Sequence, residues 1–154
     1  MLGNFSLADI SEKAQEIFIL TANLACPERK GGYFCILEEN FSTPLIIARV
    51  GVIEAEGKAS KYFGFAQEKA RRLWVTHSHQ SSWQSRNVEE NQFGGAIRVG
   101  GIIFSFSGLT ESADEIISLG LAYVLGVADK SDIFAISKIS ANPHMEKFWN
   151  IIGQ

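Results

Sequence analysis

Two histidines in a polar segment have the side chains and the spacing to bind a metal ion or the iron of a haem. His77 and His79 flank a single serine, and in an extended chain this spacing places both imidazoles on the same side. Neutral imidazole is a ligand of zinc and of haem iron. No cysteine or aspartate stands at ligand spacing beside the pair, so ordinary loop histidines that make hydrogen bonds fit the pattern as well. The sequence leaves both interpretations open.

The sequence lacks the motifs of common enzyme classes. It contains no phosphate-binding loop with a lysine, no GxGxxG after a strand and no HExxH. The stretch Ser105-Phe106-Ser107-Gly108 lacks the first glycine of a nucleophile elbow. Glu38, Asp114 and His79 remain as candidates for an acid or a base, but their spacing indicates no particular reaction. The motifs therefore indicate no particular reaction, and an enzyme acting on a small metabolite stays one of the alternatives.

A glycine-centred hairpin is the element that positions the later candidates. Gly100-Gly101 separates two apolar runs and supplies the positive φ of a tight turn, so Val99 faces Ile102 and the predicted pairing continues to Gly95 opposite Phe106. Alternation then predicts a core face made of Ile97, Val99, Ile102, Phe104 and Phe106. The other face is small and half polar, and we expect it to contact water, a ligand or a second subunit: Ala96, Arg98, Ile103, Ser105 and Ser107.

A helix is predicted directly after the hairpin. Thr110 and Ser112 are both N-cap residue types, and Ser112 with Glu115 matches the capping box. Asp114 and Glu115 fall in the first turn, where negative charge suits the helix dipole, so we interpret both as structural. One apolar stripe should pack on the core face of the hairpin: Ile116, Ile117, Gly120, Leu121, Val124 and Leu125.

Periodicity and turn residues predict the elements of the rest of the chain. A first helix begins after Ser6 and ends at Cys26-Pro27, and a second runs from about Lys58 to Trp74 with an ion pair between Glu68 and Arg72. The remaining predicted elements are strands over Tyr33–Leu37 and Leu45–Ile53, a short helix over Ser131–Ile139 and a last helix that opens at Asn142-Pro143.

Two segments allow more than one interpretation. The basic residues of the second helix, which include Lys58, Lys61, Lys69 and Arg72, are interpreted as a solvated face. Residues 76–92 are polar and lack periodicity, which predicts a long loop, and long loops in compact domains are often functional. Trp83 in its middle either covers a pocket, docks on a partner or anchors the loop.

Composition limits the class of protein. The 154 residues fit one domain, and the net charge of -3 without a strongly basic face argues against a nucleic-acid partner. The apolar runs are too short to span a membrane, and the start of the chain lacks a signal-peptide pattern, so we expect a cytoplasmic protein. In that compartment Cys26 and Cys35 should be free thiols.

A series of short motifs carries a family resemblance. In chain order they are a first hairpin over residues 35–49, Ala66-Gln67-Glu68-Lys69-Ala70, Gly94-Gly95-Ala96-Ile97, Gly101, Ser107-Gly108 and Asp114-Glu115. In these residues the chain resembles the haem-binding HbpS-like family, which includes GlcG-like proteins and the C-terminal domain of PduO-type adenosyltransferases. The similar region spans about 33–126 of a single domain over 1–154, and residues 127–154 form a C-terminal helical extension.

The resemblance implies an α+β fold in which helices pack on an antiparallel sheet, profilin-like in outline with two or three layers, that forms homo-oligomers. We predict a non-catalytic protein that binds a small molecule, for which haem, a corrinoid and a small organic acid are candidates. The predicted site residues are His77, His79, Gly94, Gly95, Ser107 and Gly108, where freed backbone amides hold a carboxylate and the loop supplies an axial ligand or a lid. The alternative is an oligomeric sensory or assembly module, with Ile103 and Trp149 at subunit contacts.

Overall fold

The computed structural model describes residues 2–153 of the chain. In chain order its helices and strands are α1 (Leu7–Ala25), β1 (Gly31–Glu38), β2 (Ile46–Gly51), α2 (Glu56–Val75), β3 (Ile97–Val99), β4 (Ile102–Ser107), α3 (Glu111–Val124), α4 (Lys130–Ile139) and α5 (Met145–Ile152). Two short 3₁₀ helices, Ser82–Ser85 and Val88–Glu90, lie between α2 and β3. The predicted helices and strands all form, with small shifts at their ends.

The strands form one open antiparallel sheet in the order β2-β1-β4-β3. Within it, Tyr33 on β1 pairs with Arg49 on β2 and with Ser107 on β4. Helices cover both faces: α2 packs on β1, β4 and β3, while α1 and α3 pack on the opposite side and carry α5 and α4. The α+β fold predicted from the sequence is therefore confirmed, and the layers number three.

Two apolar clusters fill the spaces between these layers. The larger cluster lies between the sheet and α1 and α3, and includes Phe34, Phe104 and Phe106. The smaller one lies under α2 and joins Leu37 and Ile103 to alanines and Leu73 of the helix. Because each fully buried large apolar side chain contributes about 1.5–3 kcal/mol, both clusters hold the helices on the sheet.

The glycine turn of the hairpin forms as predicted. Gly100 and Gly101 have φ values of 57° and 75°, and Val99 pairs with Ile102. The ladder nevertheless ends at Ile97, so the expected continuation to Gly95 is wrong. The edge beyond it is occupied by the preceding loop instead, because the Ser82 amide donates to the Ala96 carbonyl at 2.9 Å.

The second face of the hairpin is not open to water, to a ligand or to a subunit along most of its length. Ile103 is fully buried under α2, and the Ser105 hydroxyl donates to the Ala66 carbonyl at 2.8 Å. The small side chains of Ala66 and Ala70 let the helix approach the sheet closely enough for this bond. The predicted subunit contact through Ile103 is therefore wrong. Of the residues on this face, Ser107 lines a cleft beside α3 and Arg98 lines a smaller groove.

The start of α3 differs from the predicted capping box. Thr110 is the N-cap, and its hydroxyl accepts a bond from the Ala113 amide. Ser112 lies inside the helix. The Glu115 carboxylate accepts hydrogen bonds from side chains of other segments and from no cap amide, so the predicted capping box does not form. The start of α1 predicted after Ser6 is confirmed, and there Ser6 and Asp9 form a capping box.

The C-terminal extension packs on the domain. Helix α5 begins at Met145, two residues after the Pro143 at which its start was predicted. Phe148 is fully buried, and a side chain at Gly120 would come within 2.6 Å of its ring. Trp149 meets the ring of Tyr123 edge-on at 5.2 Å, so its contacts in this chain are internal.

Both cysteines are free, as predicted, and both are buried. Burial raises the pKa of the Cys35 thiol to about 12, so this group is a neutral member of the apolar layer under α2. Among residues 2–153, no helix combines the length and apolarity that crossing a bilayer requires.

Candidate ligand-binding cleft

A cleft of about 550 Å³ opens between the first half of α2, the end of β4 and the start of α3. Its volume falls within the usual range for small-molecule sites. The lining combines basic, aromatic and small polar side chains: Arg29, Lys58, Lys61, Tyr62, Phe65, Lys69, Asn91, Phe93, Ser107, Leu109, Thr110, Glu111 and Asp114.

A buried ion pair forms the floor of the cleft. Lys69 Nζ lies 2.8 Å from Asp114 Oδ2, and the two side chains are 2% and 4% exposed. The same ammonium donates to the Phe106 carbonyl at 2.9 Å, while Asp114 Oδ1 accepts from the Leu109 amide at 2.8 Å. Burial raises the pKa of Asp114, and the nearby Lys69 ammonium opposes that rise. The prediction that Lys69 lies on a solvated face is therefore wrong.

Gly95 lies directly against this ion pair. Its φ of 128° is unfavourable for residues with a side chain, and an added Cβ would lie 2.8 Å from Lys69 Nζ and 2.9 Å from the Asp114 Cβ. The Gly95 carbonyl accepts a bond from the Ser118 hydroxyl at 2.6 Å. Because Gly95 has no side chain, its backbone can lie directly against the ion pair.

Three cations at the mouth of the cleft have no acidic partner within residues 2–153: Arg29, Lys58 and Lys61. Arg29 is held in place by the Tyr62 hydroxyl at 3.2 Å and the Gly108 carbonyl at 2.9 Å. Both acceptors are neutral, so the guanidinium charge stays uncompensated. Lys58 and Lys61 are exposed on α2. The mouth therefore attracts anions.

Aromatic rings form the side wall between mouth and floor. Phe65 and Phe93 meet edge-to-face with centroids 5.4 Å apart, and Lys61 Nζ lies 5.8 Å from the Phe65 centroid. Tyr62 of α2 adds a third ring to the lining of the cleft. Such a wall favours the flat apolar body of a ligand.

Glu111 closes the wall on the side of α3. Its carboxylate receives two bonds from Arg86, at 2.7 Å and 2.8 Å, and one from the Gly94 amide at 2.9 Å. Burial alone would raise its pKa, but the bonds from Arg86 and from the Gly94 amide together lower it. The Gly94 amide is thus engaged with the protein itself and not freed for a ligand.

Arg72 attaches the polar segment 76–92 to α2 and was not identified from the sequence as a site residue. It is 8% exposed, and besides its predicted partner Glu68 it donates to the Ser82 carbonyl at 2.8 Å and to the Phe93 carbonyl at 2.5 Å. The guanidinium therefore places Phe93 at the cleft. The indication in the sequence was the residue type, because the planar guanidinium of an arginine carries several donors and can bind several acceptors at once.

The histidines lie elsewhere, just beyond the C-terminal end of α2. His77 is exposed, and the His79 amide donates to the Thr76 carbonyl at 3.0 Å, so the segment forms a turn instead of an extended strand. The Arg98 guanidinium binds the carbonyls of His77 and His79 at 3.0 Å and 2.5 Å. Within the described range 2–153, no group of three or more His, Cys, Asp or Glu residues could hold a metal ion.

The predicted site residues therefore separate into three groups. Ser107 lines the cleft, while Gly94, Gly95 and Gly108 support its walls through the contacts above. His77 and His79 line no part of it. The Trp83 ring packs on Gly94, and the Arg86 guanidinium lies over the same ring, 4.8 Å from its centroid. Trp83 therefore anchors the loop.

The three candidates for acid or base catalysis do not converge on one site. Asp114 belongs to the floor of the cleft, where it is paired with Lys69. Glu38 borders a separate groove at the start of α1, and His79 follows α2. This arrangement offers no shared reaction centre for the three side chains.

Comparison of the chain with protein-family models, with curated proteins and with solved structures found no match in any of the three. The family resemblance and the ligand class therefore stay proposals, and the geometry of the cleft bears on the ligand class alone.

Proposed function

We propose that this protein binds a small anionic organic molecule with a flat apolar body in the cleft between α2 and α3. The observation that carries the proposal is the combination of uncompensated cations at the mouth with an aromatic wall. Arg29, Lys58 and Lys61 would attract the anionic group, and Phe65 and Phe93 would contact the body. The function is binding without catalysis.

Two ligand classes fit this description. A tetrapyrrole such as haem or a corrinoid has a large flat ring with acidic or amide side chains, and the resemblance to HbpS-like proteins favours it. A smaller aromatic or conjugated organic acid would also fill part of the 550 Å³. If a haem binds, Tyr62 is the cleft side chain of an iron-ligand type, because neither histidine lines the cleft.

The other parts of the proposal concern partners and compartment. Two buried free thiols suit a reducing, cytoplasmic environment. A formal charge of -3 gives little attraction to nucleic acid or to an anionic membrane surface. We retain a homo-oligomer as the expected assembly, and light scattering of the purified protein tests it.

Titration with haem, metal-free protoporphyrin IX and benzoate tests the proposed function. Absorbance follows the two tetrapyrroles, and calorimetry follows benzoate. We expect saturable binding of at least one probe by the wild type, and a loss of roughly tenfold or more in affinity when Lys58→Glu and Lys61→Glu reverse two charges at the mouth. Because both lysines are exposed, the double variant should fold normally.

A matched control reverses two exposed charges far from the cleft. Lys138 and Lys147 lie on α4 and α5 and are exposed, so Lys138→Glu with Lys147→Glu changes the net charge equally. The control should bind as tightly as the wild type. Equal losses in both double variants would indicate a general charge effect, and absence of binding by the wild type would refute the proposed function.

A further inference from the structure

We propose that the floor of the cleft, where β4 ends and α3 begins, is a subsite for one carboxylate group of the ligand. The inference rests on the proposed function and adds to it the atoms that bind the anionic end. These atoms are neutral donors: the Ser107 hydroxyl and the backbone amides of Glu111 and Ser112.

Ser107 is a largely buried residue whose hydroxyl has no protein partner in the described part of the chain. The residue is 4% exposed and lines the cleft, yet its hydroxyl makes no hydrogen bond to any other group in residues 2–153. Its neighbour on the same face, Ser105, is fully satisfied by the Ala66 carbonyl at 2.8 Å. The Ser107 oxygen is not one of the fully buried polar atoms that lack a partner, so the hydroxyl is accessible from the cleft and can donate to an acceptor bound there.

The start of α3 supplies the second set of donors. This helix has 14 residues, and Thr110 and Glu111 of its first turn line the cleft. The Ala113 and Asp114 amides are bound by the side chain and carbonyl of Thr110. The amides of Glu111 and Ser112 have no acceptor in the described part of the chain. These free donors at the positive end of a helix dipole favour an anion.

The carboxylates already present do not repel a ligand carboxylate from this place. Asp114 is paired with Lys69 at 2.8 Å and also accepts the Leu109 amide. Glu111 is bound by both arms of Arg86, the nearer at 2.7 Å. Each negative charge is thus matched by a cation, so the floor is close to neutral.

A near-neutral floor with few donors suits a singly charged carboxylate better than a phosphate. Two amides and one hydroxyl can satisfy the two oxygens of a carboxylate. A phosphate ester carries close to two charges and three terminal oxygens, and would need a cation at the same place. The Lys69 ammonium is not available for that role, because it is held by Asp114 and the Phe106 carbonyl. Arg29, which donates to the neighbouring Gly108 carbonyl at 2.9 Å, supplies one positive charge beside the floor, and a single carboxylate balances it.

The test is an amide NMR titration of the isotopically labelled full chain with benzoate, with benzamide as the neutral analogue and inorganic phosphate as the competing anion. We expect benzoate to shift the amide resonances of Glu111 and Ser112 and to bind at least several-fold more tightly than the other two. Protoporphyrin IX and its dimethyl ester form a second pair of probes, in which esterification should weaken binding.

Ser107→Ala isolates the proposed hydroxyl contact. The hydroxyl has no protein partner, so the variant should fold as well as the wild type, and we expect roughly tenfold weaker benzoate binding. Ser105→Ala is the matched control on the same strand and face, and it should leave benzoate affinity unchanged because its hydroxyl bonds Ala66 outside the cleft.

The outcomes separate this inference from the proposed function. If a carboxylate probe binds, and the mouth variant weakens it, but Ser107→Ala and the Glu111 and Ser112 resonances do not respond, the subsite is refuted and the binding function stands. Tighter binding of phosphate than of benzoate would refute the carboxylate preference. If neither benzoate nor a tetrapyrrole binds the wild type, both proposals fail.

Discussion

Lys69 on α2 and Asp114 on α3 form an ion pair at 2.8 Å although the two helices pack on opposite faces of the sheet. The two side chains meet next to the end of β4, where the Phe106 carbonyl also accepts a hydrogen bond from the ammonium. Gly95 lies against the pair and has no side chain that would block it. The pair thus joins the outer layers of the fold and at the same time forms the floor of the cleft.

Removing one partner of this pair should destabilise the protein strongly. In Lys69→Met the Asp114 carboxylate stays buried without its cation, so we expect the free energy of unfolding to fall by about 3–5 kcal/mol. Urea unfolding followed by circular dichroism measures the change.

The double variant Lys69→Met with Asp114→Asn is the matched test of the electrostatic explanation. It removes both charges and keeps an amide oxygen that can accept the Leu109 amide. We expect it to be more stable than Lys69→Met alone, because the uncompensated charge is gone. A double variant that loses the sum of the two single losses would show that the two side chains act independently.

Gly95→Ala should lower stability through backbone strain and a clash. The residue has a φ of 128°, and the added methyl would lie 2.8 Å from Lys69 Nζ. Backbone strain of this kind costs about 1–3 kcal/mol, before the displacement of the ion pair is counted. Chemical denaturation measures the loss.

Gly64→Ala is the matched control for the same change of side chain. Gly64 lies inside α2, and an added Cβ would meet nothing within 4 Å. Alanine is the better helix former, so the control should gain about 0.5–1 kcal/mol. Equal effects of the two substitutions would contradict the special role of Gly95.

Individual helices and turns could be predicted from local signals because those signals act over short distances. Gly100-Gly101 sets the turn by itself, and Ser6 with Asp9 caps α1 within one helical turn. The α+β class was implied by the family resemblance and not by these elements. The number of layers could not be predicted, because alternation in β4 distinguishes two faces but does not show that Ala66 and Ala70 let α2 cover the second one.

The cleft could be predicted only in part, because its contacts join residues far apart in sequence. Ser107 was predicted as a site residue because the Ser107-Gly108 pair belongs to the motifs that carry the family resemblance. The partner of Lys69 lies 45 positions away, and nothing in the local pattern distinguishes this lysine from its exposed neighbours. His77 and His79 had the right chemistry, but the turn after α2 places them away from the cleft.

Arg98→Lys should loosen the segment that follows α2. The Arg98 guanidinium binds the carbonyls of Leu73, Thr76, His77 and His79 at 2.6, 3.2, 3.0 and 2.5 Å. A lysine lacks the planar fork, so several of these bonds are lost. We expect a fall of about 1–3 kcal/mol in unfolding free energy and faster amide hydrogen exchange in residues 76–82.

The exposed Arg71 on α2 provides a control for the arginine change. Arg71→Lys should stay within about 0.5 kcal/mol of the wild type, because exposed side chains without specific partners tolerate substitution. If amide hydrogen exchange in residues 76–82 is the same in Arg98→Lys as in the wild type, Arg98 does not hold this segment in place.

Glu115 is a fully buried carboxyl group whose side-chain partners are all neutral. It binds the Ser81 hydroxyl at 2.9 Å, the Ser140 hydroxyl at 2.5 Å and the Asn142 amide at 3.1 Å. Burial raises the pKa of Glu115 above its ordinary value of 4.5, against the lowering effect of the three partners. The group therefore connects the loop, α3 and the segment before α5 in a form that resists ionisation.

Glu115→Gln should make the protein less sensitive to rising pH. A carboxyl whose pKa is raised in the fold stabilises fully below pH 4.5, and that contribution is lost as the pH rises through the raised value. Glutamine does not titrate, so the unfolding free energy of the variant should rise relative to that of the wild type between pH 4 and pH 7. The expected rise is about 1.4 kcal/mol for each unit by which the pKa of Glu115 is higher in the fold than in the unfolded chain. Urea unfolding at a series of pH values measures this difference. A difference that stays constant with pH would show that Glu115 ionises as easily in the fold as in the unfolded chain, and a variant advantage that grows as the pH falls would show that it ionises more easily in the fold.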